Sequence, residues 1–345
     1  MIRYSVIIPV YNLENYIAQT LSLLPYDRDD TEIIIVNDGS TDASWRVVER
    51  FLESHDMTVV QLLSQPNAGV SVARNTGIEA AKGEYFIFID GDDICSENMM
   101  ETLDKLITDD TDPADMIVWR YGLKNGELTK ESQEKFERTE YTGREFCNSL
   151  LSGENRIRIG SFAVKRKTID DHNLRFTEGC AICEDVEFIY KTVLSSQRIV
   201  TTDEILYTYV KREGSAMNLT DKPDMRLFQA PEAIRRLYGY VIMNLPDALD
   251  DHIEDSLKYG LYITHCMHSF ESCCRRINSL KGVRDFLDTY FEEYSEIEKY
   301  IKNASVKMKF RPTIYSEKRL KLFLYNRRLY TWYIYMRNKK QRQEV

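Results

Sequence analysis

No apolar run in this sequence approaches the roughly 20 residues that a membrane-spanning helix needs. The opening residues, "MIRYSVIIPVYN", lack the cleavage pattern of a signal peptide. The expected location is therefore the cytoplasm. Cysteine is sparse and odd in number. Cys95, Cys147, Cys180, Cys183, Cys266, Cys273 and Cys274 are scattered over a long chain, which suits reduced thiols rather than a disulfide framework. "CAIC" has CxxC spacing but no second pair. "HCMH" at 265–268 has helical spacing in apolar surroundings, which reads as packing rather than a zinc site. Two nucleotide signatures are also missing. No GxGxxG follows the first predicted strand and no GxxxxGK[ST] occurs anywhere, which argues against a dinucleotide enzyme and a P-loop NTPase.

What is present is a globular composition, 43% hydrophobic and 29% charged. With 345 residues the chain can build a large core and carry an appended region. The net charge of -9 hides an asymmetry. Residues 305–345 hold 12 Lys or Arg against 2 Asp or Glu, a balance of +10, while the rest of the chain stands at -19. The two ends must meet different partners.

The first hundred residues alternate strand and helix patterns. "YSVIIPV", "TEIIIV", "MTVVQLL" and "EYFIFI" read as buried strands. Between them, "NLENYIAQTLSLLP" places Leu13, Ile17, Leu21 and Leu24 on one helical face, "ASWRVVERFLE" aligns Trp45, Val48 and Leu52, and "NAGVSVARNTGIEAAKG" is a helix of small residues able to lie close to a sheet. Ser96 is placed to cap a further helix carrying Met99, Leu103 and Leu106, and "ADMIVWRYGL" predicts a fifth strand followed by a "KNGE" turn. This rhythm predicts an α/β fold with a mostly parallel sheet. In such sheets the ligand crevice lies outside the carboxyl ends of the strands. Four polar turns fall there: "PVYN", "NDGSTD", "QPNAG" and "DGDD".

The last of these ends an apolar run in three carboxylates, Asp90, Asp92 and Asp93. Clustered anions repel one another unless a cation sits among them. A carboxylate pair on a tight turn can bind a divalent ion and leave positions open for phosphate oxygens; alone, such a turn is more often a solvated helix cap. Asp38 is placed to accept hydrogen bonds from a base or ribose. Asn67, Gly69 and Arg74 lie near a helix start, where N–H groups and a cation suit a diphosphate. A metal-chelated nucleoside diphosphate is the ligand this arrangement best serves.

"SVIIPVYN", "VNDGSTDAS", "NAGVSVARNTGIEAAKGEYFIFIDGDD" and "FTEGCAICEDVEFIYKTVLSS" resemble, in order, the motifs of the family 2 glycosyltransferases with the GT-A fold, over roughly residues 3–215. The resemblance implies inverting sugar transfer from a nucleotide-activated donor, usually a UDP-sugar. It implies a GT-A domain at 1–215, a Rossmann-like sheet flanked by helices, and a helical C-terminal region at 216–345. Pro9, Val10 and Tyr11 would line the nucleoside pocket, Asp38 would hold the base, and Asn67 and Arg74 would contact the nucleotide. Asp90 and Gly91 would touch the ribose or the metal shell, and Asp92, with Asp90, would ligate Mn²⁺ or Mg²⁺. Asp185 would be the general base, with Glu184 beside it. Lys211 and Arg212 stand where some relatives carry a metal-binding His, and would hold the diphosphate instead.

The acceptor implied is a saccharide or lipid-linked saccharide, in cell-surface polysaccharide synthesis. The basic, aromatic residues 305–345 suit peripheral contact with an anionic membrane, and the acidic remainder disfavours nucleic acid. Two other readings stay open, a nucleotidyltransferase and a catalytically silent glycan-binding or scaffold subunit.

Overall fold

Strand β1 (Tyr4–Val10) is buried along its whole length, and so are β2 (Thr31–Asn37) and β4 (Tyr85–Phe88). Continuous apolar strands suit a sheet covered on both faces. Strands β3 (Val60–Ser64), β2, β1 and β4 run parallel in that spatial order, with Val6 opposite both Ile33 and Ile87. The sheet then becomes mixed. Strand β8 (Phe162–Lys165) inserts antiparallel between β4 and β6 (Met116–Leu123), and β9 (Ile199–Tyr209) pairs parallel to β6. The short β5 (Ile94–Cys95) and β7 (Glu140–Tyr141) both lie antiparallel to β9.

Helices α1 (Ile17–Leu21), α2 (Ser44–Leu52) and α3 (Val70–Ala80) make the crossovers, followed by α4 (Met99–Thr108), α5 (Gly143–Ser152), α6 (Arg166–Asp171) and α7 (Glu184–Ser195). Helix α3 packs directly on β1: a Cβ on Gly77 would lie 2.3 Å from Ile7 Cγ2, so only glycine fits there.

The computed structural model describes residues 1–53, 57–108, 113–123, 138–210 and 225–293, and 319–343 except 320, 321 and 324. The expected "KNGE" turn, Lys211 and Arg212, and the start of the basic tail lie outside these residues. The chain divides into two compact units, Met1–Arg212 and Glu213–Val345. The first holds the sheet. In the second, α8 (Gln229–Asn244), α9 (Asp251–Asp255), α10 (Tyr262–Cys274), α11 (Leu280–Glu293) and α12 (Arg327–Gln343) supply a ring-rich core in which Phe270 stacks near Phe286, Tyr290 and Tyr330. No helix among the described residues is long and apolar enough to cross a membrane.

Three local expectations differ from the structure. The helix expected from residue 12 is helical only over Ile17–Leu21, although Leu13, Ile17, Leu21 and Leu24 are all buried as a set. The third strand begins at Val60, after a 3₁₀ turn at Met57–Val59. Ser96 Oγ turns to the Asn98 side chain, while its carbonyl accepts from Met99 N.

Candidate active site

The parallel strands β1, β2, β3 and β4 deliver their following turns to one edge of the sheet. Asn12 (φ 52) and Gly39 (φ 68) take left-handed conformations there. The first two turns are laced together: Thr41 N donates to Asn12 Oδ1 at 2.9 Å, and Asn12 N donates to Ser40 Oγ at 3.2 Å. Pro9 and Val10 are buried within β1, and Tyr11, which follows at this edge, is 45% exposed.

Asp38 is only 2% exposed. Its Oδ1 accepts from Gln65 Nε2 (2.8 Å) and Ala68 N (2.9 Å), and its Oδ2 from Gly69 N (2.8 Å). Three of roughly four acceptor positions on the carboxylate are thus used to fasten the loop before α3. Asn67 Nδ2 adds a bond to the Asp38 carbonyl at 3.1 Å, while the Asn67 residue itself stays exposed.

The cation that the acidic turn requires is Arg74. Its guanidinium is buried and forks between two acids: Nη2 lies 2.7 Å from Asp90 Oδ1, and Nη1 lies 3.2 Å from Glu184 Oε1. The Phe176 ring, 5.1 Å away, supports it, and Phe176 stacks on Phe188. Burial works against the charge on Arg74, but Asp90 and Glu184 outweigh it and raise the pKa above the ordinary arginine value. Glu184 is pushed up to about 7 by burial and then by Asp185, with Arg74 pulling the other way.

Helix α3 is the hub of this assembly. Ser71, Arg74 and Asn75 share one helical face at i, i+3 and i+4. Ser71 Oγ donates to the Cys180 carbonyl (3.3 Å). Asn75 clamps Phe176 with two bonds of 2.9 Å, one to its carbonyl and one from its N–H. These contacts bring the "FTEGCAICEDVEF" stretch, about a hundred residues downstream, against the "DGDD" turn. Cys183 (φ 64) then bends the chain into α7, whose first turn carries Glu184, Asp185 and Glu187. Asp185 is half-buried and Val186 N donates to its Oδ1 at 2.8 Å. Glu187, the third acid, is 2% exposed and held by Thr177 and Lys191; its work is internal.

Asp93, the third carboxylate of the cluster, pins the acidic turn from below. It is 1% exposed; the Tyr207 hydroxyl donates to its Oδ2 and Val210 N to its Oδ1 at 2.7 Å. Burial, and then Asp90, push its pKa up to about 8 despite those bonds. Thr20 Oγ1, from α1, bridges the carbonyls of Gly91 and Asp93. Gly91 itself is needed for packing: a Cβ there would lie 2.8 Å from Leu13 Cδ1 and 3.1 Å from the Pro9 carbonyl oxygen. Asp93 is turned inward, Asp90 is on Arg74, and Asp92 is half-buried.

Among the described residues, no group of three or more His, Cys, Asp or Glu could hold a metal ion alone. A hard cation at Asp92 would therefore take its remaining oxygens from water and a ligand's phosphates, the way Mg²⁺ ordinarily binds at phosphate sites.

Comparison with known proteins decides the family. The profile of glycosyl transferase family 2 matches residues 5–174. Glycosyltransferase GlyG of Streptococcus pneumoniae is 30% identical over 230 residues, 62% of this chain and 72% of that protein. The chain belongs to glycosyl transferase family 2. Within this family it is also similar to the uncharacterized glycosyltransferase EpsJ of Bacillus subtilis, 29% identical over 81% of this chain and 80% of EpsJ. Staphylococcus aureus TarS, a poly(ribitol-phosphate) beta-N-acetylglucosaminyltransferase, is 29% identical, and the chain spans 43% of its length. The crystal structure of TarS 1–349 with UDP-GlcNAc aligns at a TM-score of 0.68 and 19% identity, covering 99% of this chain and 92% of that one. The fold of this chain is thus similar to that of TarS 1–349.

Proposed function

We propose that this family 2 glycosyltransferase moves a sugar from a UDP-sugar to a hydroxyl of a saccharide or lipid-linked acceptor, with inversion, in the building of a cell-surface polysaccharide. The observation that carries this reading is the Asp90–Arg74–Glu184 bridge. One guanidinium joins the turn suited to a metal-bound diphosphate to the acid pair suited to an acceptor. The neighbouring TarS structure with UDP-GlcNAc supports a uridine donor.

In this reading Tyr11 and Asn67 meet the nucleoside, and Asp38 and Arg74 shape the pocket from behind. Asp92 would be the residue to hold Mn²⁺ or Mg²⁺, and such an ion, when bound, would supply positive charge to the leaving diphosphate. Asp185 takes the proton of the acceptor hydroxyl as its oxygen attacks the anomeric carbon and the diphosphate departs. Glu184, tied to Arg74, keeps the acid pair in register with the donor turn. The basic residues 305–345 hold the enzyme at an anionic membrane where a lipid-linked acceptor resides.

Asp185→Asn tests the assignment. Transfer from UDP-sugars, followed by released UDP, should fall at least about a hundredfold, the lower end for loss of a general base. Binding of UDP with Mn²⁺, followed by calorimetry, should be retained. Unchanged transfer would refute the role of Asp185; absence of UDP binding in the unmodified protein would refute the donor.

A further inference from the structure

Helix α12 is two-sided in an unusual way. Its inner face is core: Tyr330 and Ile334 are fully buried and Asn338 nearly so. Glu271 of α10 anchors that face, accepting from Tyr330 Oη at 3.0 Å and from Arg337 at 2.6 Å. The opposite face is also apolar. Tyr325 just before the helix is 85% exposed, and Leu329, Trp332 and Met336 follow at steps of four, three and four, 47%, 49% and 42% exposed. Large apolar side chains lined up in water on a helix whose core face is already occupied mark a binding surface. Cations frame it: Arg328 at one end, Lys339 and Lys340 at the other, all exposed. Next to them lies an open hollow of about 640 Å³ lined by Trp332, Tyr333, Met336, Arg337, Lys339 and Lys340.

We propose that this outer face of α12 is the surface that docks on an anionic lipid bilayer, with Trp332 and Met336 entering the headgroup boundary and Lys339 and Lys340 on lipid phosphates. The inference rests on the membrane contact proposed above and assigns it to particular residues. Charge selects the partner. The tail carries +10 against -19 elsewhere. The cations of the tail favour an anionic surface, while the net negative charge of the remaining sequence disfavours a nucleic acid. Tryptophan and tyrosine at the edge of such a face suit the interface, where an apolar ring and a polar edge are both accommodated.

The test uses the full-length protein and sedimentation with vesicles of phosphatidylcholine, alone or with about a third phosphatidylglycerol. Binding is expected only to the mixed vesicles. Lys339→Ala with Lys340→Ala should weaken it about thirtyfold, the effect of two cations at an anionic leaflet. Lipids brominated in the acyl chain should quench tryptophan emission in the unmodified protein and fail to do so in Trp332→Phe, since Trp119 is fully buried and Trp45 partly so. Unchanged circular dichroism would show that the variants fold, and transfer to a water-soluble acceptor should be unaffected. Undiminished vesicle binding by the lysine variant, or no quenching of Trp332 in the vesicle-bound protein, would sink this surface while leaving the membrane reading intact; no binding by the unmodified protein would sink both. A dimer in sedimentation velocity that Trp332→Ser dissolves would instead make the face an interface between copies and overturn the proposal.

Discussion

Replacing Arg74 by methionine keeps much of the buried stem and removes the guanidinium together with its contact to the Phe176 ring. Two carboxylates then lose their shared partner. Breaking a fully buried pair costs about 3–5 kcal/mol. The side chain of Asp90 is 29% exposed, so water can recover part of its loss; that of Glu184 is 12% exposed and has no such outlet. Glu184 can, however, take up a proton. Its folded pKa of about 7 lies above the ordinary glutamate value, so the folded state binds the extra proton between the two. Its contribution to stability is therefore full at low pH and is lost as pH rises through the folded pKa. Without Arg74 that folded value moves higher still. Below about pH 7 Glu184 is protonated with or without Arg74, and only the partly hydrated Asp90 suffers, about 1–2 kcal/mol. At about pH 8.5 Glu184 is charged in the unmodified protein and unpaired in the variant, and the loss grows to about 3–4 kcal/mol.

The assay is urea unfolding of the first unit, followed by tryptophan emission in a Trp332→Phe background. Trp45 and Trp119 then report on that unit alone, which matters because a two-unit chain need not unfold in one step. Adding Glu184→Gln should erase the pH dependence of the loss. A loss equal at both pH values, or one below about 0.5 kcal/mol throughout, would refute the claim that Arg74 is the counter-charge of this cluster.

Other substitutions probe the supports of the same edge. Tyr207→Phe deprives the buried Asp93 of its phenol donor, and the first unit should lose about 1–3 kcal/mol in the same unfolding assay. Gly91→Ala drives a methyl against Leu13 and the Pro9 carbonyl; about 1–3 kcal/mol should be lost, and UDP-dependent stabilisation in thermal melts should shrink as Asp92 is displaced. In the second unit, burial and the neighbouring His268 depress His265 to about 4. The unfolded chain then binds the extra proton between about pH 4 and 6.5, so stability should rise with pH across that window, by up to about 2 kcal/mol for this half-buried ring. His265→Gln should flatten the slope in melts recorded across those values.

Much of this arrangement was legible in local pattern. The near-continuous apolar runs of β1, β2 and β4 are what a doubly covered parallel strand requires, and they located the turns that carry Asp38, Asn67 and Asp92. The roles inside the cluster were less legible. Arg74 was expected on a diphosphate; its guanidinium lies on Asp90, 16 residues along the chain, and on Glu184, 110 residues away, and only the second of these partners depends on a distant segment. Polar residues at 71, 74 and 75 along one face of a small-residue helix were the available signal. Nothing local marked Asp93 as the inward-turned acid, since that follows from Tyr207 on β9.

Periodicity and motif order, being properties of neighbouring residues, were enough to establish the α/β class, the sheet edge bearing the turns and the family resemblance. Which carboxylate faces in and which pairs with Arg74 depended on the closure of the fold. An ion pair exists only where separate segments meet, and α3 makes that meeting by bonding at once to residues 90, 176, 180 and 184.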